Sequence, residues 1–432
     1  MTTKIAIIGG GSAYAPGLIN AFIRNSDIFS GSELALMDIN SDNLDIVHRL
    51  GSHMVNNARV DLKISATTNR KAAISDADYI ITSFRQGGFE ARHQDESIPL
   101  KHNILGQETI GPGGFFFAMR TLPVIKAITT EISKFAPRAV LINYTNPTQI
   151  VAEAVNHFTD IPIISICDQS DDDLQNILVA LEIKTPSEVI YESIGLNHAT
   201  WSSHFQVNGQ NGIELMCEAC DTVLARTDLS KRVKRQFQLT REFGLIPNSY
   251  LQHYYYREET IAEAIASPHT RAQQIMASLP DYYSHFLQEL SAPTPKLTKV
   301  RGGSLFGDMA VDVIRSLLTG NGEIHTLNVK NRNALPGFDP DRIVELPCHL
   351  DRSGATPLAQ KHLPHSVMGI LSMLSEYQWL AANAIWKGTR KDAVKALSAN
   401  PLILSLTLAE TLLDEITPLQ GNYYPERLLV NL

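Results

Sequence analysis

The chain has 432 residues, 44% hydrophobic and 19% charged, with 37 Lys and Arg against 45 Asp and Glu for a net charge of −8. That balance excludes a basic nucleic-acid binder, and four cysteines over this length exclude a disulfide-stapled secreted scaffold. At roughly 100–200 residues per domain, the length predicts two or three domains with a sizeable core.

The N-terminus runs straight into Lys4-Ile5-Ala6-Ile7-Ile8, which leaves no room for a signal peptide. Apolar runs at 5–8, 34–38, 79–83, 140–144 and 161–167 alternate with helical patterns. Such alternation predicts a doubly wound parallel sheet, and the unbroken apolarity of the central runs predicts helices on both faces. A short run at 189–191 follows, and beyond it helical patterns and Tyr clusters replace clean strand alternation. The expected division is 1–190, a Rossmann-type nucleotide-binding domain, and 191–432, a mixed α+β domain for catalysis, substrate and oligomerisation. Helical stretches at 368–386 and 402–413 are broken by Ser, Glu, Gln or Thr, so they read as buried helices rather than bilayer spans. The expected location is the cytoplasm, with no membrane and no nucleic-acid partner.

The first strand leads into Gly9-Gly10-Gly11-Ser12 and then a helical pattern from Ala15. Glycines there let backbone approach a pyrophosphate, and the helix N-terminus supplies oriented N–H groups. Tyr14 occupies the usual third-glycine position. Asp38 closes the second strand where a ribose hydroxyl acceptor is expected, which favours NAD over NADP.

Cys167-Asp168 ends the fifth apolar run, at the carboxyl edge of the sheet, and Gly195-Leu196-Asn197-His198 follows 31 residues after Cys167. A thiolate and an imidazole suit Mn, Fe, Co, Ni or Zn and leave coordination positions for substrate oxygens. From spacing alone, a buried Cys and a hydrogen-bonded core His remain an equally available reading.

Taken together, Gly9-Gly10-Gly11-Ser12, Gly106-Gln107-Glu108-Thr109, Gly111-Pro112-Gly113-Gly114, Asn143-Tyr144-Thr145-Asn146-Pro147, Cys167-Asp168, Gly195-Leu196-Asn197-His198 and Ile246-Pro247-Asn248-Ser249-Tyr250 resemble glycoside hydrolase family 4 over nearly the whole chain. The resemblance implies a lactate/malate dehydrogenase-like fold and a glycosidase that departs from two-carboxylate hydrolysis. In that family NAD⁺ oxidises sugar C3, a base removes the C2 proton, the aglycone leaves from C1, and water then adds before the hydride returns, and the resemblance implies the same course here. It further implies that Cys167 and His198 hold Mn²⁺ or another divalent metal, that Asp168 protonates the leaving oxygen, and that Tyr250 is the C2 base. Asn146 matches a substrate-hydroxyl contact, whereas Glu108 lies in a family-typical turn without an assigned role. Family members are usually dimers or tetramers, so a homodimer or homotetramer is expected.

Within the family, Cys-Asp resembles the 6-phospho-α-glucosidases, and Arg92 and Arg271 match the phosphate pocket. A guanidinium pairs bidentately with phosphate oxygens, which suits such a substrate. Two departures leave a 6-phospho-β-glucosidase or an unphosphorylated α-glycosidase open. Cys167-Asp168 continues as Gln169-Ser170 rather than Met-Pro, and the stretch from Val300 to Asp308 is more similar to the phospho-β members. A simple NAD-dependent 2-hydroxyacid dehydrogenase is the rival outside the family. Cys217-Glu218-Ala219-Cys220 lies in a helix-like stretch without a second Cys/His pair and reads as structural; Cys348-His349 reads as part of a loop.

Overall fold

The computed structural model describes residues 2–302 and 307–429; Gly303-Ser304-Leu305-Phe306, within the stretch that is similar to phospho-β members, lies outside them. Six strands form a parallel half-sheet: β1 (Lys4–Ile8), β2 (Ser32–Met37), β3 (Leu62–Thr67), β4 (Tyr79–Thr82), β5 (Val140–Asn143) and β6 (Ile163–Ser165). Their spatial order, β3-β2-β1-β4-β5-β6, is that of a dinucleotide-binding sheet. Five of the six coincide with the predicted apolar runs. Strand β3 does not, because as an edge strand it is only partly buried and carries Lys63, Ser65 and Thr67 between its apolar residues.

The second half contributes β7 (Val189–Leu196), β8 (Ala199–Val207), β9 (Gln210–Asn211), β10 (Ile246–Pro247), β11 (Ile324–Lys330), β12 (Ile343–Asp351) and β13 (Gly354–Pro357). These strands extend the same sheet in antiparallel order, β6-β11-β12-β7-β8-β10, with β9 and β13 paired to β8 and β12. The mixed α+β half expected after residue 190 is thus rich in strands, although its sequence shows little clean alternation. Strand β12 escapes pattern reading because Glu345 and Pro347 interrupt an otherwise apolar run that is buried on both faces. Cys348 belongs to that strand, not to a loop.

Helices cover the sheet, and their apolar faces join it in one core that includes Ile5, Leu34, Phe115, Leu141, Leu346 and Leu412. The predicted buried helices are His365–Lys387 and Leu406–Gln420. No helix among the described residues is long and apolar enough to cross a membrane. Cys217 and Cys220 sit on the helix Gly212–Ala225, both as free thiols, with Cys220 buried in a satellite core.

Two helices that border the later site, Gly88–Leu100 and Pro112–Phe135, are joined by a fully buried ion pair. Arg120 places Nη1 2.9 Å from Asp95 Oδ1 and Nη2 2.6 Å from Oδ2. Removing one partner leaves an uncompensated buried charge, so Asp95→Ala is expected to cost about 3–5 kcal/mol. Urea denaturation at fixed protein concentration reads this as a lower midpoint, and an unchanged midpoint would contradict it.

Candidate active site

A cleft of about 690 Å³ opens at the carboxyl edge of the parallel strands and runs from the Gly9–Ser12 turn to Cys167 and Asp168. Gly9 has φ +98°, and a Cβ there would meet Ser83 O at 2.1 Å, so the close strand-to-turn approach requires glycine. The following helix, Ala15–Arg24, starts without a side-chain cap, leaving first-turn N–H groups available to an anion. Asp38 sits just past β2 on the cleft wall. Its Oδ2 accepts from Gly11 N–H and its Oδ1 from Asn40 N–H, both at 3.0 Å. Each oxygen keeps a further lone pair for a ribose hydroxyl. Tyr283 donates to Gly11 O at 2.8 Å, and the buried Ser12 hydroxyl has no hydrogen-bond partner among the described residues. A glycine cradle, an open helix end, a ribose-side carboxylate and an orphaned hydroxyl fit a dinucleotide.

The metal-ligand candidates meet at the other end. Cys167 lies beyond β6, whereas His198 is the second residue of the two-residue loop joining β7 to β8. That loop closes because Gly195, at φ +147°, lets the backbone approach Ala199 O, where a Cβ would come within 2.7 Å. His198 takes φ +60°, and its Nε2 lies 3.3 Å from Cys167 Sγ. Two donors at that separation can share one cation with bonds of about 2.1 and 2.3 Å. Burial holds the imidazole neutral, down to about 3, so its lone pair is free to coordinate. Burial pushes the Cys167 thiol up, and a nearby cation would reverse that by favouring thiolate. No group of three or more His, Cys, Asp or Glu suited to a metal occurs among the described residues, so a cation on this pair would take its remaining positions from substrate or water.

Asp168 stands at the N-cap position of the helix Gln169–Ala180 without a side-chain capping bond, and lines the cleft. Burial first, then Asp171 and Asp172, raises its carboxyl to about 7, and Tyr144 Oη lies 3.4 Å from Oδ1. A carboxyl that is protonated near neutrality can give a proton to a leaving group.

Tyr250 arrives from a different direction. Strand β10 pairs with β8, Asn248 N–H donates to Thr200 O at 2.7 Å, and Asn248 Oδ1 accepts Tyr250 N–H at 3.1 Å. This folds the Tyr250 ring flat against His198, with centroids 4.1 Å apart and planes 12° apart. The Arg232 guanidinium covers the ring at 5.0 Å. Buried Asp173 anchors the segment, accepting from Ser249 Oγ at 2.6 Å and Arg232 Nη2 at 3.2 Å. Burial raises Tyr250 to about 12, partly offset by Arg232.

Asn146 lines the cleft with its Oδ1 occupied by Thr148, which leaves the amide NH₂ as its donor end. Arg92 is also on the wall, but it is held by two carboxylates, Glu96 at 2.7 Å and Glu108 at 3.0 Å. Arg271 is not among the cleft-lining residues. It is exposed on the first turn of the helix Arg271–Leu290, with Nη1 3.2 Å from Gln274. It stands one residue from Ala272, whose N–H donates to Glu96 Oε2, so it borders the Arg92 cluster without joining the cleft.

Sequence reasoning missed several participants. Glu108, left without a role, bridges Arg92 and Arg85, the latter at 2.7 Å. Burial alone would raise its carboxyl, but the two guanidiniums outweigh this and hold it down to about 2. Arg301 lines the cleft with its guanidinium 4.7 Å from the Tyr14 ring and 4.6 Å from Phe89. Arg85 could have been suspected from its place just beyond strand β4, before Gly87-Gly88; Arg301 and Arg232 carry no comparable sequence signal.

Comparison with known proteins decides the family. The model of the family 4 glycosyl hydrolases matches residues 4–180, and that of the family 4 glycosyl hydrolase C-terminal domain matches 193–403. The chain belongs to glycosyl hydrolase family 4. Among its family 4 relatives, a 6-phospho-beta-glucosidase of Escherichia coli is 32% identical over 435 residues, covering 98% of this chain and 96% of that protein. A 6-phospho-alpha-glucosidase from gut microorganisms, solved with NAD and Mn²⁺, superposes with a TM-score of 0.88 at 25% identity, covering 99% of this chain and all of that one. The Thermotoga maritima 6-phospho-beta glucosidase, solved with manganese, NAD⁺ and glucose-6-phosphate, gives 0.85 at 26% identity, covering 98% and 99%. Malate dehydrogenase of Plasmodium falciparum matches the fold alone, with a TM-score of 0.53 at 15% identity over 92% of this chain and 99% of that one.

Proposed function

We propose that this family 4 protein is an NAD- and Mn²⁺-dependent 6-phospho-glucosidase acting on 6-phospho-α-glucosides. The observation that carries the reading is that Cys167 and Asp168 line one end of a cleft whose other end is the Gly9–Ser12 turn, with His198 3.3 Å from Cys167 and Tyr250 stacked on His198. Bound NAD supplies a reversible hydride acceptor, and a divalent ion on Cys167 and His198 supplies positive charge beside the sugar C3 oxygen.

Around those groups, Tyr250 takes the C2 proton once C3 is a ketone. Its ring needs nearby positive charge to ionise at neutral pH, and the stack on His198 brings it to where that charge would sit. Asp168 gives its proton to the leaving oxygen, steadied by Tyr144. Asn146 holds a sugar hydroxyl through its NH₂. Along this wall Arg85 and Arg92 pair with Glu108, Arg92 also with Glu96, and Arg301 lies over Tyr14 and Phe89; three guanidiniums to two carboxylates is an excess of cations that suits a phosphate, with Arg271 at its border. Exposed Leu404, Leu406 and Leu419 offer apolar surface for a homodimer or homotetramer, and a reducing cytoplasm would keep Cys167 a thiol.

The α reading rests on Asp168, a carboxyl placed to act as an acid. A β reading is favoured by the 32% identity to the Escherichia coli β-enzyme against 25% to the α-enzyme from gut microorganisms. A nitrophenyl-glycoside panel decides between them: α and β, gluco and galacto, with and without 6-phosphate, in the presence of NAD⁺ and Mn²⁺. Cleavage of the 6-phospho-α-glucoside is expected. Preference for the β anomer would reassign the specificity, and net NADH accumulation without cleavage would make the protein a dehydrogenase. Asp168→Asn is expected to lower turnover of disaccharide phosphates by about 10²–10⁴. Nitrophenyl substrates, whose leaving group needs little protonation, should lose much less. Equal losses on both would remove the acid role.

A further inference from the structure

We infer that Glu345 is a positioning residue for the cation site, fixing the two chain segments that carry Cys167 and His198 and supplying a balancing negative charge. The inference rests on the metal reading proposed above and deepens it.

The sheet topology puts Glu345 between the ligands. Strands β11 and β12 are inserted between β6, which leads to Cys167, and β7, which leads to His198. One register line crosses them: Ser165 on β6 pairs with Asn328 on β11, Asn328 with Glu345 on β12, and Glu345 with Gly195 on β7. Cys167 lies two residues beyond Ser165, and His198 three beyond Gly195. Ser165, Asn328 and Glu345 are each at most 2% exposed, so this is a polar row inside the core. Polar side chains persist in such a place only where something repays their desolvation.

Glu345 reaches both ligand segments. Its Oε2 accepts from Asn197 Nδ2 at 2.9 Å, and Asn197 directly precedes His198 in the hairpin loop. Its Oε1 lies 3.4 Å from Ser170 Oγ, three residues after Cys167. The nearby buried carboxylate Asp173 has Arg232 as its counter-charge. Glu345 has no ion pair among the described residues. Burial raises the Glu345 carboxyl; a divalent cation held by one thiolate and one neutral imidazole would retain one positive charge, which would favour the ionised form of Glu345 and be offset by it through Asn197. Partners of this kind around metal ligands set affinity as well as geometry.

Glu345→Gln keeps the side-chain length and an oxygen for Asn197 while removing the charge. Metal-free protein is titrated with Mn²⁺ and free Mn²⁺ is followed by electron paramagnetic resonance, with NAD⁺ binding and thermal melting as controls. The expected result is Mn²⁺ affinity weakened by about 10–100-fold in Glu345→Gln, with NAD⁺ affinity unchanged. Affinity within twofold of the wild type overturns the inference while leaving the metal site intact. A wild-type protein that binds no Mn²⁺ overturns the functional reading, and the inference with it. Should Glu345→Gln fail to fold, Asn197→Ala, which cuts the link to the His198 loop but keeps the carboxylate, is judged by the same criterion.

Discussion

Replacing Cys167 with serine is expected to lower turnover of a 6-phosphoglucoside by about a thousandfold and to weaken Mn²⁺ binding measurably. The estimate follows from charge. Polarisation of an oxygen by a bound cation is worth several kcal/mol, and each 1.36 kcal/mol is about tenfold in rate. Serine nearly matches cysteine in volume, but its hydroxyl does not ionise near neutrality and is a harder, poorer ligand for a cation shared with the His198 imidazole 3.3 Å away. Since Cys167 is outside the apolar core clusters, the fold should survive the change. Steady-state rates combined with a Mn²⁺ titration check this, and a Cys167→Ser enzyme with unaltered rate and affinity would remove Cys167 from the site.

Tyr250→Phe is expected to cost about 10²–10⁴ in kcat, the usual span for a lost general base. Phenylalanine retains the flat packing on His198 and the face beneath Arg232, so only the hydroxyl is deleted. Substrate affinity and thermal melting should therefore stay close to wild type. A fall in KM-dependent binding without a fall in kcat would recast Tyr250 as a wall of the pocket.

The parallel half of the fold is readable from sequence because strands buried on both faces must be continuously apolar, as 79–83 and 140–144 are. The antiparallel half is not, because its central strand β12 trades apolarity for Glu345, and β8 mixes Trp201 and Phe205 with Ser and His. The same limit governs the site. Cys167, Asp168 and Asp38 follow strand ends, where sheet topology alone predicts ligands, and the resemblance adds His198 and Tyr250. Glu345 carries a faint signal, a lone charge inside an apolar run, which a reading for loops and motifs passes over. Arg85 stands just beyond a strand end but in no motif, and Arg301 joins the cleft through long-range packing against Tyr14. Arg271 shows the converse: a motif match identifies the neighbourhood but not the side chain's direction, and the first-turn position carries it to solvent.

Cleavage is expected to proceed by removal of the C2 proton rather than by displacement at C1. Turnover of a 6-phosphoglucoside in D₂O with NAD⁺ and Mn²⁺, followed by NMR of the released sugar phosphate, tests it directly. Deuterium at C2 of the product is expected; product formed at full rate with only protium at C2 would rule out proton removal there.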